Sequence, residues 1–167
     1  MKREKRRVSE SETVVARVMM PQDANIAGNV FGGTILKMVD EAAYVAAMKH
    51  ARCNVVTASV DKMDFLSPVH IGDLVTLSAN VNAVWHTSME VGIRVEAEEP
   101  STGRRRHTGS SYLTIVALGP DGRPTPVPEL VLETEDDQRR NREAMRRRAR
   151  RHEEKAVEGF KRNRKRK

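Results

Sequence analysis

Asp40 is the side chain in this chain whose type and position most clearly suggest chemistry. Residues 32–48 read as one long, mostly apolar helix. At helical spacing Asp40 shares a face with Leu36, Ala43 and Ala47, whereas Glu41 aligns with Lys37 in a pairing typical of a wetter surface. A carboxylate on an apolar face costs stability unless it is paired or put to use. Gly32 and Gly33 open the same helix. Free backbone N–H groups and the positive dipole end can polarise a carbonyl oxygen there. An acid and an oxyanion-stabilising turn on one element point to acyl chemistry.

The elements that must position these groups are set by periodicity. Residues 14–20 read as a first strand stopped by Pro21, and residues 21–29 as a loop of turn-forming residues. The helix ends near His50 or Arg52. Residues 55–65 alternate through Val56, Ala58 and Val60, then change phase to Met63 and Phe65, which predicts a β-bulge near Asp61 and Lys62. Val75 to Trp85 keeps strict period 2, Met89 to Ala97 repeats it with Glu90, Arg94, Glu96 and Glu98 facing out, and Arg106 to Leu118 forms the last strand. The order is strand, helix, then four meandering antiparallel strands. This predicts an α+β fold, an antiparallel sheet of about five strands wrapped around one long central helix.

Composition narrows the function classes. A chain of 167 residues fits one domain plus an appendage. We place a disordered N-terminus at residues 1–10, the domain at 11–128 and a charged, Arg-rich tail at 129–167. Residues 133–167 carry 15 Lys/Arg and 8 Asp/Glu, and residues 1–132 carry 15 of each, so the net +7 belongs to the tail. The tail reads as a solvated appendage, at most an exposed helix, and the basic pI says little about what the domain binds. No apolar run approaches the roughly 20 residues of a membrane span, and no apolar segment comes after the charged start, so no signal peptide is expected. Cys53 is the single cysteine, which rules out an internal disulfide and fits a reducing, cytoplasmic setting.

Several chemistries lack their residues. His50, His70, His86, His107 and His152 have no ligand-like spacing, so no metal site is expected. Neither a Gly-x-Ser-x-Gly elbow nor a P-loop is present.

The segment Pro21-Gln22-Asp23-Ala24-Asn25, continuing through Gly28-Asn29-Val30-Phe31-Gly32-Gly33-Thr34 to Asp40-Glu41, resembles the acyl-CoA thioesterases of the hotdog fold, in particular the cytosolic acyl-CoA hydrolase subgroup. Residues 55–65 and Thr87-Ser88-Met89-Glu90-Val91 continue the likeness, which covers roughly residues 12–128. The resemblance implies hydrolysis of acyl-CoA to a fatty acid and free CoA, with no cofactor beyond the CoA of the substrate. It implies a homodimer with two equivalent sites at its interface, often assembled as a trimer of dimers (a hexamer). The loop Asn of one unit pairs with the helix acid of the facing unit, and these map onto Asn25 and Asp40.

For each of these residues the resemblance implies a role, and each has a structural alternative. Asp40 is a general base toward water, or a nucleophile forming a transient anhydride; structurally, it would cap a loop amide. Asn25 offers a donor and an acceptor to water or the thioester oxygen; structurally, it would close an Asx-turn. Gly33, with Gly32 beside it, would supply oxyanion-binding N–H groups, a reading compatible with close helix packing. Thr87, Ser88 and Met89 would lie along the pantetheine arm, or form a plain hairpin turn. Arg104, Arg105 and Arg106 would meet the CoA phosphates, or form a solvated hairpin rim. Two other functions compete with hydrolysis. A hotdog hydratase needs an Asp–His pairing absent from residues 21–40. A non-catalytic acyl-CoA sensor would contact nucleic acid through the basic tail, but the tail interleaves acids with its bases and has one aromatic, Phe160.

Overall fold

The computed structural model of the protein describes residues 3–164. Its main sheet has five antiparallel strands in the order β2 (Thr13–Val18), β4 (Leu74–Val84), β5 (Ser88–Glu99), β6 (Arg104–Leu118), β3 (Asn54–Phe65). Helix α1 (Gly32–Ala51) packs across one face of the sheet. Ala42, Ala43, Ala46 and Ala47 are all fully buried, and their small side chains let the helix settle close to the sheet. There it meets Val75, Leu77 and Val81 of β4, Met89, Val91 and Val95 of β5, and Leu113 and Ile115 of β6 in one core. The helix stops at Arg52, whose left-handed backbone (φ 55°) closes the last turn through its N–H to the Met48 carbonyl, 2.8 Å away.

Only β4, β5 and β6 form a meander. The expected sequential order of four strands is corrected at β3, which pairs with β6 on the far edge from β2. After α1 the chain enters one edge of the sheet, and residues 66–73 then carry it to the other side to begin β4. The other edge of β3 is unpaired among the described residues. Val56 and Val60 stand there 42% and 44% exposed.

Both termini are more ordered than expected. In place of disorder across residues 1–10, β1 (Lys5–Arg7) pairs in parallel with β7 (Glu129–Val131), and Val8 and Ser11 are buried. Residues 1 and 2 of that segment, and 165–167 of the tail, lie outside the described residues. The tail is helix α2 (Glu135–Arg164). A capping box starts it: the Asp137 N–H donates to Thr134 Oγ1 (3.1 Å), and the Asp137 carboxylate accepts the Thr134 N–H (3.0 Å).

α2 lies on the sheet face opposite α1, where Glu90 points, because its neighbours Met89 and Val91 face the core. Glu90 is therefore outward from the core but not solvated; it is fully buried beneath α2. Arg147 donates to it twice (2.7 and 3.2 Å), and Asn82 once (3.2 Å). The Arg147 and Arg148 guanidiniums stack over Tyr112 (3.6 Å) and Trp85 (4.1 Å). The tail docks through arginines, so an apolar period could not reveal it.

His50, buried in the last turn of α1, has Nε2 3.2 Å from the Pro128 carbonyl. Burial holds its imidazole below the ordinary 6.5. Above that value both folded and unfolded chains carry the neutral ring. Below it the unfolded chain takes up a proton that the buried ring resists, so this contribution to stability is lost as pH falls through the folded value. His50→Gln, which keeps a donor but does not titrate, should lessen the fall in Tm between about pH 7 and about pH 5.5. An undiminished fall in that variant would show that His50 is not the group responsible.

Candidate active site

The loop before α1 is fixed by Asp23. Its carboxylate pairs with Arg17 and accepts the Met20 N–H (2.9 Å), and its carbonyl accepts the Phe31 N–H (2.8 Å). The hydrogen bond from Arg17 holds the Asp23 carboxyl below the usual carboxylate range. Within this frame Asn25 closes a tight turn. Its Oδ1 accepts N–H groups from Ala27 (2.8 Å) and Asn29 (3.3 Å), and Gly28 supplies the left-handed residue (φ 83°). The Asx-turn reading of Asn25 thus describes its oxygen. Its amide nitrogen makes no hydrogen bond among the described residues.

Phe31 occupies the N-cap of α1 in extended conformation and offers no side-chain cap. The N–H groups of Gly32 and Gly33 have no acceptor among the described residues. A Ser, Thr or Asp here would have satisfied one of the first-turn N–H groups. Both glycines lie under aromatic rings: a Cβ on Gly33 would fall 2.9 Å from the Phe31 ring, and one on Gly32 3.4 Å from the Phe65 ring. Asn25, Gly32, Ile35, Phe65, Leu66 and Val69 are among the residues lining a cleft of about 420 Å³.

Asp40 lies on the exposed stripe of α1, between Leu36 and Tyr44, each 37% exposed. The expectation of an apolar face is corrected in part. Ala43 and Ala47 are buried, but the chain itself leaves the carboxylate open. Glu41 does pair with Lys37 (3.8 Å). The unforeseen partner is Thr57 of β3, whose hydroxyl donates to Asp40 Oδ1 at 2.7 Å. Alternation alone assigns Val56 the inward phase. Instead Val55 is buried, Val56 is exposed and Thr57 faces the helix. The signal was a polar residue two positions after an inward Val. Asp40 stands eight residues beyond Gly32, roughly 12 Å along the helix axis.

The structure does not bring the remaining expected residues to this locus within one chain. Thr87 and Ser88 form the β4–β5 turn, where their carbonyls accept the Ala117 and Trp85 N–H groups. Met89 pairs with Ile115, which pairs with Thr57, so it stands two strands from Thr57, roughly 10 Å. Its side chain is fully buried in the core and lines no surface, which corrects its assignment to a substrate arm.

The three arginines separate into different environments. Arg106 donates to the buried Asp73 (2.5 Å) and to the Pro68 carbonyl (3.2 Å). Arg105 donates to Glu98 (2.5 Å). Arg104 makes no ion pair among the described residues and, with His70 and Glu99, helps line a cleft of about 550 Å³. His70 Nδ1 lies 3.1 Å from Asn29 Oδ1, which ties this cleft to the Asn25 loop. No group of three or more His, Cys, Asp or Glu side chains converges among the described residues, and no described helix is long and apolar enough to cross a membrane.

A profile of the thioesterase superfamily matches residues 27–103. An uncharacterized acyl-CoA thioester hydrolase of Bacillus subtilis is 40% identical over 134 residues, 80% of this chain and 78% of its own length. A hexameric acyl-CoA thioesterase, solved in its apo form, superposes with a TM-score of 0.89 at 40% identity, over 92% of this chain and 99% of that one. An acyl-CoA hydrolase of Staphylococcus aureus, solved with butyryl-CoA and CoA, gives 0.84 at 36% identity, over 93% and 98%. Structures of that hydrolase include single alanine variants of an asparagine, an aspartate and a threonine, spaced 15 and 17 residues apart. With its five-stranded sheet and long packed helix, the chain belongs to the thioesterase superfamily, as a hotdog-fold acyl-CoA thioester hydrolase.

Proposed function

We propose that this enzyme hydrolyses an acyl-CoA thioester to a free carboxylic acid and CoA at sites shared between two copies of the chain. One observation carries the reading. Thr57 fixes Asp40 on an exposed stripe of α1, while Asn25 and Gly32 line one cleft at the uncapped helix start, next to Gly33, with Gly32 roughly 12 Å from Asp40 along the axis. A single thioester cannot touch both within one chain. A second copy that sets its helix start against the middle of the first α1 joins them.

In this reading Asp40 takes a proton from water as the water attacks the thioester carbonyl. Thr57 holds Oδ1, which leaves Oδ2 to face the reaction; direct attack to a mixed anhydride would use the same oxygen. The partner's helix start receives the developing oxyanion through the N–H of its own glycine, a donor typically worth about 3 kcal/mol of barrier. The Asn25 amide nitrogen is free to donate to water or carbonyl. The spacing of Asn25, Asp40 and Thr57 equals that of the three residues varied in the Staphylococcus hydrolase, which supports assigning them to one site.

The unpaired edge of β3, with Val56 and Val60 open, suits pairing with a second copy. The hexameric relative supports a trimer of such dimers. Arg104 is the arginine we assign to the CoA phosphates; Arg105 holds the β5–β6 hairpin and Arg106 ties it to the 66–73 connection. The free thiol of Cys53 supports a cytosolic setting.

In a thiol-release assay Asp40→Asn should lower kcat by about 10³-fold while the oligomer elutes unchanged; near-normal turnover would remove the base assignment. Arg104→Ala should raise KM and abolish its salt dependence without moving Tm. Arg106→Ala should lower Tm by stranding buried Asp73. The reverse pattern would exchange their roles.

A further inference from the structure

The path by which Thr57 comes to face Asp40 runs through residues far from the reacting atoms. Thr57 pairs with Ile115, but the next residue of β6, Thr114, pairs with Ser59. Ala58 is thus an extra residue. A second irregularity lies between Val60 and Lys62, leaving Asp61 as another. The far end of β3 is anchored, because Phe65 pairs with Gly109 and packs on Gly32. If pairing ran without the first bulge from that end, Ala58 would stand opposite Ile115 and face α1. Thr57 would then point away from Asp40.

Asp61 holds this bulge. Its carboxylate accepts the hydroxyls of both members of the pair just past Ala58, Ser59 (2.5 Å) and Thr114 (2.7 Å). The third donor is Arg151 of α2, at 2.5 Å. Arg151 is itself held by α2 docking, since its guanidinium also lies 3.6 Å from the buried Glu90 that Arg147 grips. Asp61 is 8% exposed and Arg151 20%. The pair is a built contact of the outer face.

We propose that Asp61 and Arg151 are positioning residues for catalysis: the C-terminal helix fixes the β3 bulge that aims the Thr57 hydroxyl at Asp40. This rests on reading Asp40 as the catalytic acid oriented by Thr57. It gives the Arg-rich helix, which lies outside the matched 27–103 segment, a part in turnover. Neither Asp61 nor Arg151 touches substrate, so each acts on kcat through Thr57 and leaves KM nearly unmoved.

The test is a double-mutant cycle read by thiol release. In the full-length oligomer, Asp61→Asn and Arg151→Ala should each lower kcat by about 10-fold with little change in KM. Neither should lower it further in a Thr57→Ala background. Arg151→Lys should recover part of the loss. Arg151→Ala removes a side chain of the docked helix rather than of the core, so it keeps the test open if Asp61→Asn fails to fold. Losses that multiply with Thr57→Ala, or a fall in Tm with kcat intact, would overturn the positioning role and leave only a structural clamp. Wild-type kcat in Thr57→Ala alone would overturn the parent reading of the Asp40–Thr57 pair, and this inference with it.

Discussion

A helix rises by about 1.5 Å per residue, and that fixed rise governs the function of this fold. Between Gly32, with its free N–H, and Asp40, with its held carboxylate, lie two turns of α1 that no side-chain rotation shortens. An acyl transfer needs acid and oxyanion donors within a few ångströms of one carbonyl carbon. On the proposed reading, the chain therefore carries both halves of a site without completing one. The surfaces its own core leaves uncovered fit that constraint: Leu36 and Tyr44 flank Asp40 in the open, and the β3 edge is unpaired among the described residues.

The two faces of the sheet hold their helices by different physics. α1 is held by burial, through four alanines against Val, Leu, Met and Ile side chains. α2 is held by charge and π contacts around one buried carboxylate, Glu90, which two arginines and an asparagine satisfy. A carboxylate this deep is tolerable only with such partners, so the site for α2 is specific and strongly oriented. Through Arg151 and Asp61 the outer layer also reaches β3, the strand that carries Thr57.

Much of this was legible in the residues. The long apolar helix, the period-2 strands and a bulge in 55–65 were readable because each depends on local periodicity. The position of Asp40 on α1 and the glycine-opened helix start were readable for the same reason. Three features were not. The pairing of β3 with β6 is a long-range choice that strand patterns do not encode. Thr57 was not singled out because the strand carries two irregularities, and the alternation before the first was read in the phase of the residues beyond it, which set Val56 rather than Thr57 inward. The docking of α2 was missed because arginine stems and guanidiniums cover the sheet where apolar residues were sought, although Thr134 and Asp137 marked the start of that helix.

The proposed mechanism depends most on the two halves of the site coming from different copies. The most direct test mixes chains carrying Asn25→Ala with chains carrying Asp40→Asn, each inactive alone, by co-expression or by unfolding and refolding together. A mixed dimer then holds one site with both residues intact and one with neither. Random pairing in equal amounts should restore about a quarter of wild-type turnover. Mixtures that stay as inactive as the separate variants would show that Asn25 and Asp40 act within a single chain, and would contradict the shared site.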